Sequence, residues 1–83
     1  MSSAPLALRS ELRPLSSLAP GVGGVVMRIL PDIAGHADRL LALGVTPGAA
    51  VEMLQSFPGI VFRCDQTELA VERAVAHLVL VRV

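Results

Sequence analysis

The candidate metal ligands of the sequence are Asp32, His36, Asp38, Cys64 and His77. Imidazole nitrogen and carboxylate oxygen suit a ferrous ion, whereas a thiolate suits softer metals. His36 and Asp38 are two residues apart, so on a helix their side chains point about 200° away from each other. They would chelate one ion only from a loop. His36, Asp38, Cys64 and His77 are therefore weak metal-site candidates, and we expect no bound cofactor.

Cys64 is the one cysteine of the sequence. A single thiol excludes an intramolecular disulfide and a zinc site built from several thiolates of one chain. A lone cysteine is most often a small buried hydrophobic residue, and that is the role we predict here. An approach of Cys64 to His77 across the fold stays open at this stage.

No catalytic constellation accompanies these residues. Ser16 and Ser17 lack a neighbouring His or Asp motif and are typical of turn and cap residues. Gly21, Gly23 and Gly24 precede a predicted strand, whereas a phosphate-binding loop leads into the N-terminus of a helix. We therefore predict that the protein is not an enzyme.

The composition excludes two further classes of protein. The 83 residues are 53% hydrophobic and 17% charged, which is too apolar for an intrinsically disordered chain. Seven basic residues, all Arg, balance seven acidic residues, and the aromatic residues are two Phe. Nucleic-acid binders carry a basic stripe and aromatic stacking platforms, so we expect no nucleic-acid partner.

The sequence also indicates a cytoplasmic protein that is not embedded in a membrane. Residues 74–81 form the longest apolar stretch, and a bilayer crossing takes about 20 residues. Arg9, Glu11 and Arg13 interrupt any apolar segment that would make a signal peptide.

The elements that position these side chains are predicted to be about five short antiparallel strands with one inserted helix. Pro and Gly punctuation delimits strands at residues 25–30, 50–57, 60–65, 68–72 and 77–83. Residues 36–43 have helical spacing, and Gly44 is expected to end that helix with a positive φ. Short connections suit antiparallel hairpins, and closure into a small barrel would remove exposed edges. We predict a flexible N-terminal arm over residues 1–14 and a single domain over residues 15–83.

Alternation within the predicted strands selects a core, to which the helix and a methionine add their apolar residues. Its predicted members are Val51, Met53, Ile60, Phe62, Leu69 and Val71 from the strands, with Met27, Leu40 and Leu43. The last strand is different, because Val79, Val81 and Val83 share one face while Leu78 and Leu80 share the other. Either this strand is covered on both sides or one side meets a partner. We therefore predict that Leu78 and Leu80 contact another chain, as in a homo-oligomer, or the N-terminal arm.

Three segments resemble the FeoA domain family, the ferrous iron transport protein A group. Residues 15–21, Leu-Ser-Ser-Leu-Ala-Pro-Gly, are similar to the family's opening Leu-x-x-Leu-x-x-Gly. Residues 39–51 resemble its central signature, in which a helix with Arg-Leu leads into Leu-Gly-x-x-Pro-Gly-x-x-Val. Residues 67–71 and 76–81 resemble its closing strands. The resemblance extends over residues 15–81.

This resemblance implies a mainly β, SH3-like barrel that assists ferrous iron uptake in the bacterial cytoplasm. Members are thought to bind the cytoplasmic part of the membrane transporter FeoB. A similar barrel forms the C-terminal domain of some metal-dependent repressors, so a metal- or peptide-binding regulatory module is the alternative function. Arg39, Leu41 and Ala42 are the predicted partner-binding residues of the helix, because an exposed Leu beside an Arg forms a docking contact. Leu78 and Leu80 complete the predicted partner-binding set.

Overall fold

The computed structural model describes residues 11–83, and these form one mainly β domain. Six antiparallel strands lie in one sheet in the order β1-β6-β2-β3-β4-β5. The strands are β1 (Leu12–Pro14), β2 (Gly23–Ile29), β3 (Ala50–Gln55), β4 (Ile60–Cys64), β5 (Thr67–Val71) and β6 (Val79–Arg82). Helix α1 (His36–Ala42) follows β2, helix α2 (Arg73–Ala76) follows β5, and a single 3₁₀ turn covers Leu15–Ser17. The predicted mainly β fold with one inserted helix is confirmed.

Two glycines set the connection from α1 to β3. Gly44 has a φ of 97°, as predicted for the residue that ends the helix. Gly48 has a φ of 94°, and the Ala49 N–H donates to the carbonyl of Thr46 at 2.9 Å. This geometry is that of a turn with Pro47 at its second position and glycine at its third. The chain therefore reverses between α1 and β3.

The sheet wraps around one apolar core. The inward residues of β2, β3, β4 and β6 alternate along each strand and are fully or almost fully buried: Val26, Val51, Met53, Ile60, Phe62, Cys64, Val79 and Val81. The helices and connections cover them with Leu15, Leu18, Leu40, Val45, Ala49, Val75 and Ala76. Leu69 and Val71 pack against this cluster and are partly buried. No polar side chain among residues 11–83 is buried, so the core is purely apolar.

Met27 does not belong to the core, contrary to the prediction. Its side chain is 38% exposed. The pairing of β2 with β6 shifts between Val26 and Arg28, so that Val26 faces Val81 and Arg28 faces Leu80. Met27 is the extra residue of a β-bulge, and the bulge takes its side chain out of the alternation.

Leu43 was expected in the core with Leu40, and this prediction is also wrong. Leu40 is buried, but Leu43 is 51% exposed. The helix ends before Leu43 can complete the inward face, since Gly44 turns the chain and the Val45 N–H donates to the Leu40 carbonyl. Val45 is fully buried and fills the space that Leu43 was predicted to fill.

The last part of the predicted arm forms a strand. Residues 1–10 of that arm lie outside the described residues, but Leu12–Pro14 form β1, which pairs with β6. β6 therefore has neighbours on both edges, β1 and β2. Val79 and Val81 face the core, Val83 is exposed, and Leu78 and Leu80 are half-buried. Leu80 lies opposite Pro14, so the last residue of the predicted arm is its cross-strand neighbour.

A candidate docking surface around the first helix

Asp32 fixes the N-terminus of α1. Its carboxylate accepts hydrogen bonds from the backbone N–H of Ala37 at 2.9 Å and of His36 at 3.2 Å. The ring Nδ1 of His36 also lies 2.9 Å from Oδ2 of Asp32, and it donates there, because a carboxylate only accepts. The hydrogen bond from the Ala37 N–H has the largest influence on the pKa of Asp32 and lowers it. Desolvation comes next and raises the pKa, but the interactions with His36 add to the effect of Ala37, so the pKa lies below its usual value. Asp32 thus pairs donors that every helix N-terminus leaves free.

The C-terminus of α1 is held from the side of β4. The Cys64 thiol lies 3.6 Å from the carbonyl oxygen of Gly44 and donates to it. Burial raises the pKa of this thiol, and the nearby Asp65 carboxylate acts in the same direction. Cys64 is buried, as predicted. The thiol is therefore used to anchor the end of the helix.

The exposed surface of α1 combines apolar side chains with two charged residues, Asp38 and Arg39. Leu40 is the helix residue that is buried, whereas Leu41 is 42% exposed and Leu43, just beyond the helix, is 51% exposed. Arg39 and Ala42 are exposed beside them. Within residues 11–83, Arg39 forms no ion pair. The structure thus exposes all three predicted residues, Arg39, Leu41 and Ala42. Arg39 and Leu41 are two positions apart, however, so on the helix their side chains point about 200° away from each other.

A groove of about 330 Å³ lies between α1, the end of β5 and α2. Its apolar lining consists of Leu40, Leu43, Ala70, Val71 and Val75, and its polar rim consists of His36, Arg39 and Glu72. Sequence reasoning missed this groove because it assigned Leu43 to the core. Gly44 could have indicated it, because a helix that ends before Gly44 leaves Leu43 at its last position, beyond the regular inward face.

Leu78 and Leu80 lie elsewhere in the fold. Leu80 is on β6, Leu78 immediately precedes that strand, and neither lines the groove beside α1. The predicted partner-binding residues therefore belong to two places, the outer face of α1 and the outer face of the sheet.

The predicted metal ligands do not converge. His36 pairs with Asp32, and Asp38 is exposed on α1. Cys64 donates to Gly44, while Nδ1 of His77 lies 3.2 Å from the Ser16 hydroxyl. Across residues 11–83, no three His, Cys, Asp or Glu side chains lie together in a group that would hold a metal ion.

Neither helix of the described domain crosses a membrane. α1 and α2 have seven and four residues, and no membrane-spanning helix occurs within residues 11–83.

The fold is that of a small SH3-like β-barrel with an inserted helix on its outside. The model of the FeoA domain matches residues 13–83, and the chain belongs to the FeoA domain family, which functions in ferrous iron transport. The resemblance seen in the sequence is thereby confirmed. A comparison with curated protein sequences gave no match.

Solved structures agree with this assignment. A crystal structure of an iron uptake regulatory protein, FeoA, is 32% identical with a TM-score of 0.77, over 87% of this chain and 97% of the other. A zinc complex of Stenotrophomonas maltophilia FeoA, described as a prokaryotic SH3 domain protein, is 25% identical with a TM-score of 0.74, over 81% and 86%. A manganese-dependent transcriptional repressor is 18% identical with a TM-score of 0.79, over 88% of this chain and 42% of the repressor. The last likeness shows a shared fold.

Proposed function

We propose that the protein is a non-enzymatic accessory protein of bacterial ferrous iron uptake. It works in the cytoplasm by binding the cytoplasmic part of a FeoB-type membrane transporter. The observation that carries this proposal is the exposed surface of α1. Arg39 and Leu43 line a groove there, Leu41 is exposed outside that lining, and Arg39 has no ion-pair partner within residues 11–83. Membership of the FeoA family supplies the choice of partner.

The anchoring of α1 at both ends favours binding. Asp32 holds the first turn, and Cys64 holds the carbonyl of Gly44 at the other end. A surface that is already ordered loses less conformational entropy when a partner binds. Exposed leucines next to a groove provide apolar contacts that exclude water, and Arg39 is positioned to meet a carboxylate at their edge.

The direct test measures binding of the transporter's cytoplasmic region to the wild-type protein, Arg39→Glu and Leu41→Asp. Phe57→Asp is the matched control, because Phe57 is 80% exposed and lies outside the groove lining. We expect both α1 variants to weaken binding by tenfold or more, and the control to bind like wild type. Binding that survives both α1 substitutions would move the contact away from this helix. Absence of binding by the wild-type protein would contradict the accessory role.

We further propose that the protein does not itself hold iron tightly. The support is the scatter of ligands, since His36, Cys64 and His77 each have a different protein partner. Any Fe²⁺ binding should be weak, on the order of 10 μM or worse, which corresponds to about 7 kcal/mol or less. Anaerobic calorimetry with Fe²⁺ tests this value. A submicromolar site with one-to-one stoichiometry would contradict it and favour the alternative, a metal-binding regulatory module like the repressor barrels.

A further inference from the structure

The outer surface of the sheet has two halves with different charge arrangements. On β3, β4 and β5, the register places Glu52 opposite Arg63 and Arg63 opposite Glu68. The Arg63 guanidinium lies 3.1 Å from the Glu52 carboxylate and 3.6 Å from that of Glu68. The single cation of this half is therefore compensated from both sides.

The other half, on β1, β6 and β2, combines apolar and cationic residues in two rows across the strands. The first row is Leu12, Arg82 and Val25, and the second is Pro14, Leu80 and Arg28. Leu12, Arg28 and Arg82 are exposed, and Val25 and Leu80 are half-buried. We call Leu12, Val25, Arg28, Leu80 and Arg82 the β6 face.

The two arginines of the β6 face have no carboxylate partner. No ion pair of Arg28 or Arg82 occurs within residues 11–83, and residues 1–10 contain neither Asp nor Glu. The two residues occupy a diagonal position on adjacent strands, with Leu80 beside both. Their Cα atoms are thus roughly 7–8 Å apart. Two uncompensated guanidinium groups here flank one aliphatic side chain.

We propose that the β6 face binds an acidic, partly apolar protein segment. Such a segment presents two carboxylates on one side with an aliphatic side chain between them. Each guanidinium group can donate two parallel hydrogen bonds to one carboxylate, and Leu80 contacts the aliphatic group. Carboxylates one helical turn apart or two residues apart on a strand match the separation of Arg28 and Arg82. This inference concerns a different surface from α1 and does not depend on the identity of the transporter.

The chemistry of the face favours a protein over a membrane or a nucleic acid. Electrostatic attachment to anionic lipid uses clusters of four to eight basic residues, and this face has Arg28 and Arg82. Binding of single-stranded nucleic acid uses aromatic stacking, and the apolar residues of the face are aliphatic. Paired carboxylates satisfy two guanidinium forks without either requirement.

The test uses a labelled helical peptide with two glutamates one turn apart and a leucine between them on the same side. Fluorescence anisotropy measures its binding to the full chain, beside a twin peptide in which both glutamates are glutamine. We expect the acidic peptide to bind at least tenfold more tightly than its twin, and raised salt to weaken it. Equal binding of the two peptides would contradict the proposal.

Variants of the full chain locate the contact. Arg28→Glu with Arg82→Glu should lower the affinity for the acidic peptide by tenfold or more, whereas Arg39→Glu, on α1, should leave it unchanged. The milder pair Arg28→Lys and Arg82→Lys keeps the charge but loses the bidentate fork, so a smaller loss is expected. Circular dichroism and urea unfolding check that each variant is folded. Loss with Arg39→Glu alone, or binding to phosphatidylserine vesicles or single-stranded RNA in preference to the peptide, would overturn the proposal.

The two hypotheses fail separately. The transporter experiment reports on Arg39 and Leu41, whereas the peptide experiment reports on Arg28 and Arg82. A chain that binds the acidic peptide but not the transporter region would remove the proposed function and keep this inference, and the converse result would do the opposite.

Discussion

The two helices of the domain differ in how their side chains are used. In α2, Val75 and Ala76 are buried, and Arg73 donates to the carbonyl oxygens of Ser16 and Ser56. This helix ties the 3₁₀ turn and the β3–β4 connection together. Its buried and hydrogen-bonded groups are therefore occupied by the fold itself.

In α1, by contrast, the fold buries one side chain. Leu40 alone packs inward, while Arg39, Leu41 and the following Leu43 are exposed. The ends of α1 are held through Asp32 and Gly44 and leave its outer face uncovered within residues 11–83. The side chains of α2 therefore stabilise the fold, whereas α1 uses few of its side chains for this and leaves Arg39, Leu41 and Leu43 exposed.

The largest expected effect is a difference in the free energy of unfolding between variants of two adjacent leucines of α1. Leu40→Ala should lower the free energy of unfolding by about 2–5 kcal/mol, because it leaves a cavity beneath the helix. Leu41→Ala should change it by about 0.5 kcal/mol or less, because the side chain is at the surface. Urea unfolding of both variants measures the difference. Equal losses would mean that both leucines support the core and that the outer face is not free.

The turn that ends α1 should give the next largest effect. Gly44→Val should cost about 1–2 kcal/mol, because a β-branched residue is strained in the left-handed region. A Cβ at this position meets no atom within 4 Å, so the cost comes from the backbone. Gly44→Asn is the matched control with a smaller loss, since Asn tolerates this conformation. A urea midpoint that Gly44→Val leaves unchanged would contradict the assigned helix end.

The role of α2 is tested by Arg73→Ala. Loss of its hydrogen bonds to the carbonyls of Ser16 and Ser56 should cost about 0.5–1.5 kcal/mol. Arg28→Ala is the control, because Arg28 makes no ion pair within residues 11–83 and should be nearly neutral. Thermal unfolding monitored by circular dichroism compares the two. If Arg73→Ala is as neutral as the control, α2 does not tie these segments together.

The smallest expected effect is the pH dependence that Asp32 gives to α1. The pKa of Asp32 is lowered from its usual 3.8 in the folded state. A lowered folded pKa stabilises the fold above the unfolded value, and this contribution is lost as the pH falls through the folded pKa. Asp32→Asn should therefore melt at a lower temperature than wild type at pH 5. The gap should close as the pH falls well below 3.8, and a gap that persists there would show that the charge is not the cause.

The sequence was sufficient for elements whose local signals agree. Val51, Met53 and Phe62 alternate cleanly between turns, and their burial was predicted correctly. Gly44 also has the positive φ that its position predicted. These features depend on neighbours in the chain, so a local pattern contains the information needed.

Features that depend on distant contacts were not visible in the pattern. Met27 left the core because β2 bulges where it pairs with β6, and β1 formed because β6 offers it an edge. His36 was compared with Asp38, but its partner is Asp32, which the loop before α1 brings to the helix end. The groove beside α1 also combines residues that are more than 30 positions apart, such as Leu40 and Val75. Tertiary packing decides the position of Met27, the formation of β1 and the groove, whereas the pair of His36 with Asp32 depends on the local conformation of the loop.

In the proposed function, the transporter meets α1 and the groove beside it, and not the β3–β4 connection that Arg73 of α2 contacts. The most direct measurement is a two-dimensional NMR titration of the ¹⁵N-labelled protein with the transporter's cytoplasmic region. We expect the largest changes in amide chemical shift, or the strongest line broadening, at residues 36–44 and at the neighbouring residues 70–72. Amides of residues 56–59, next to α2, should hardly change. Perturbations that concentrate at residues 56–59, or that appear nowhere, would contradict it.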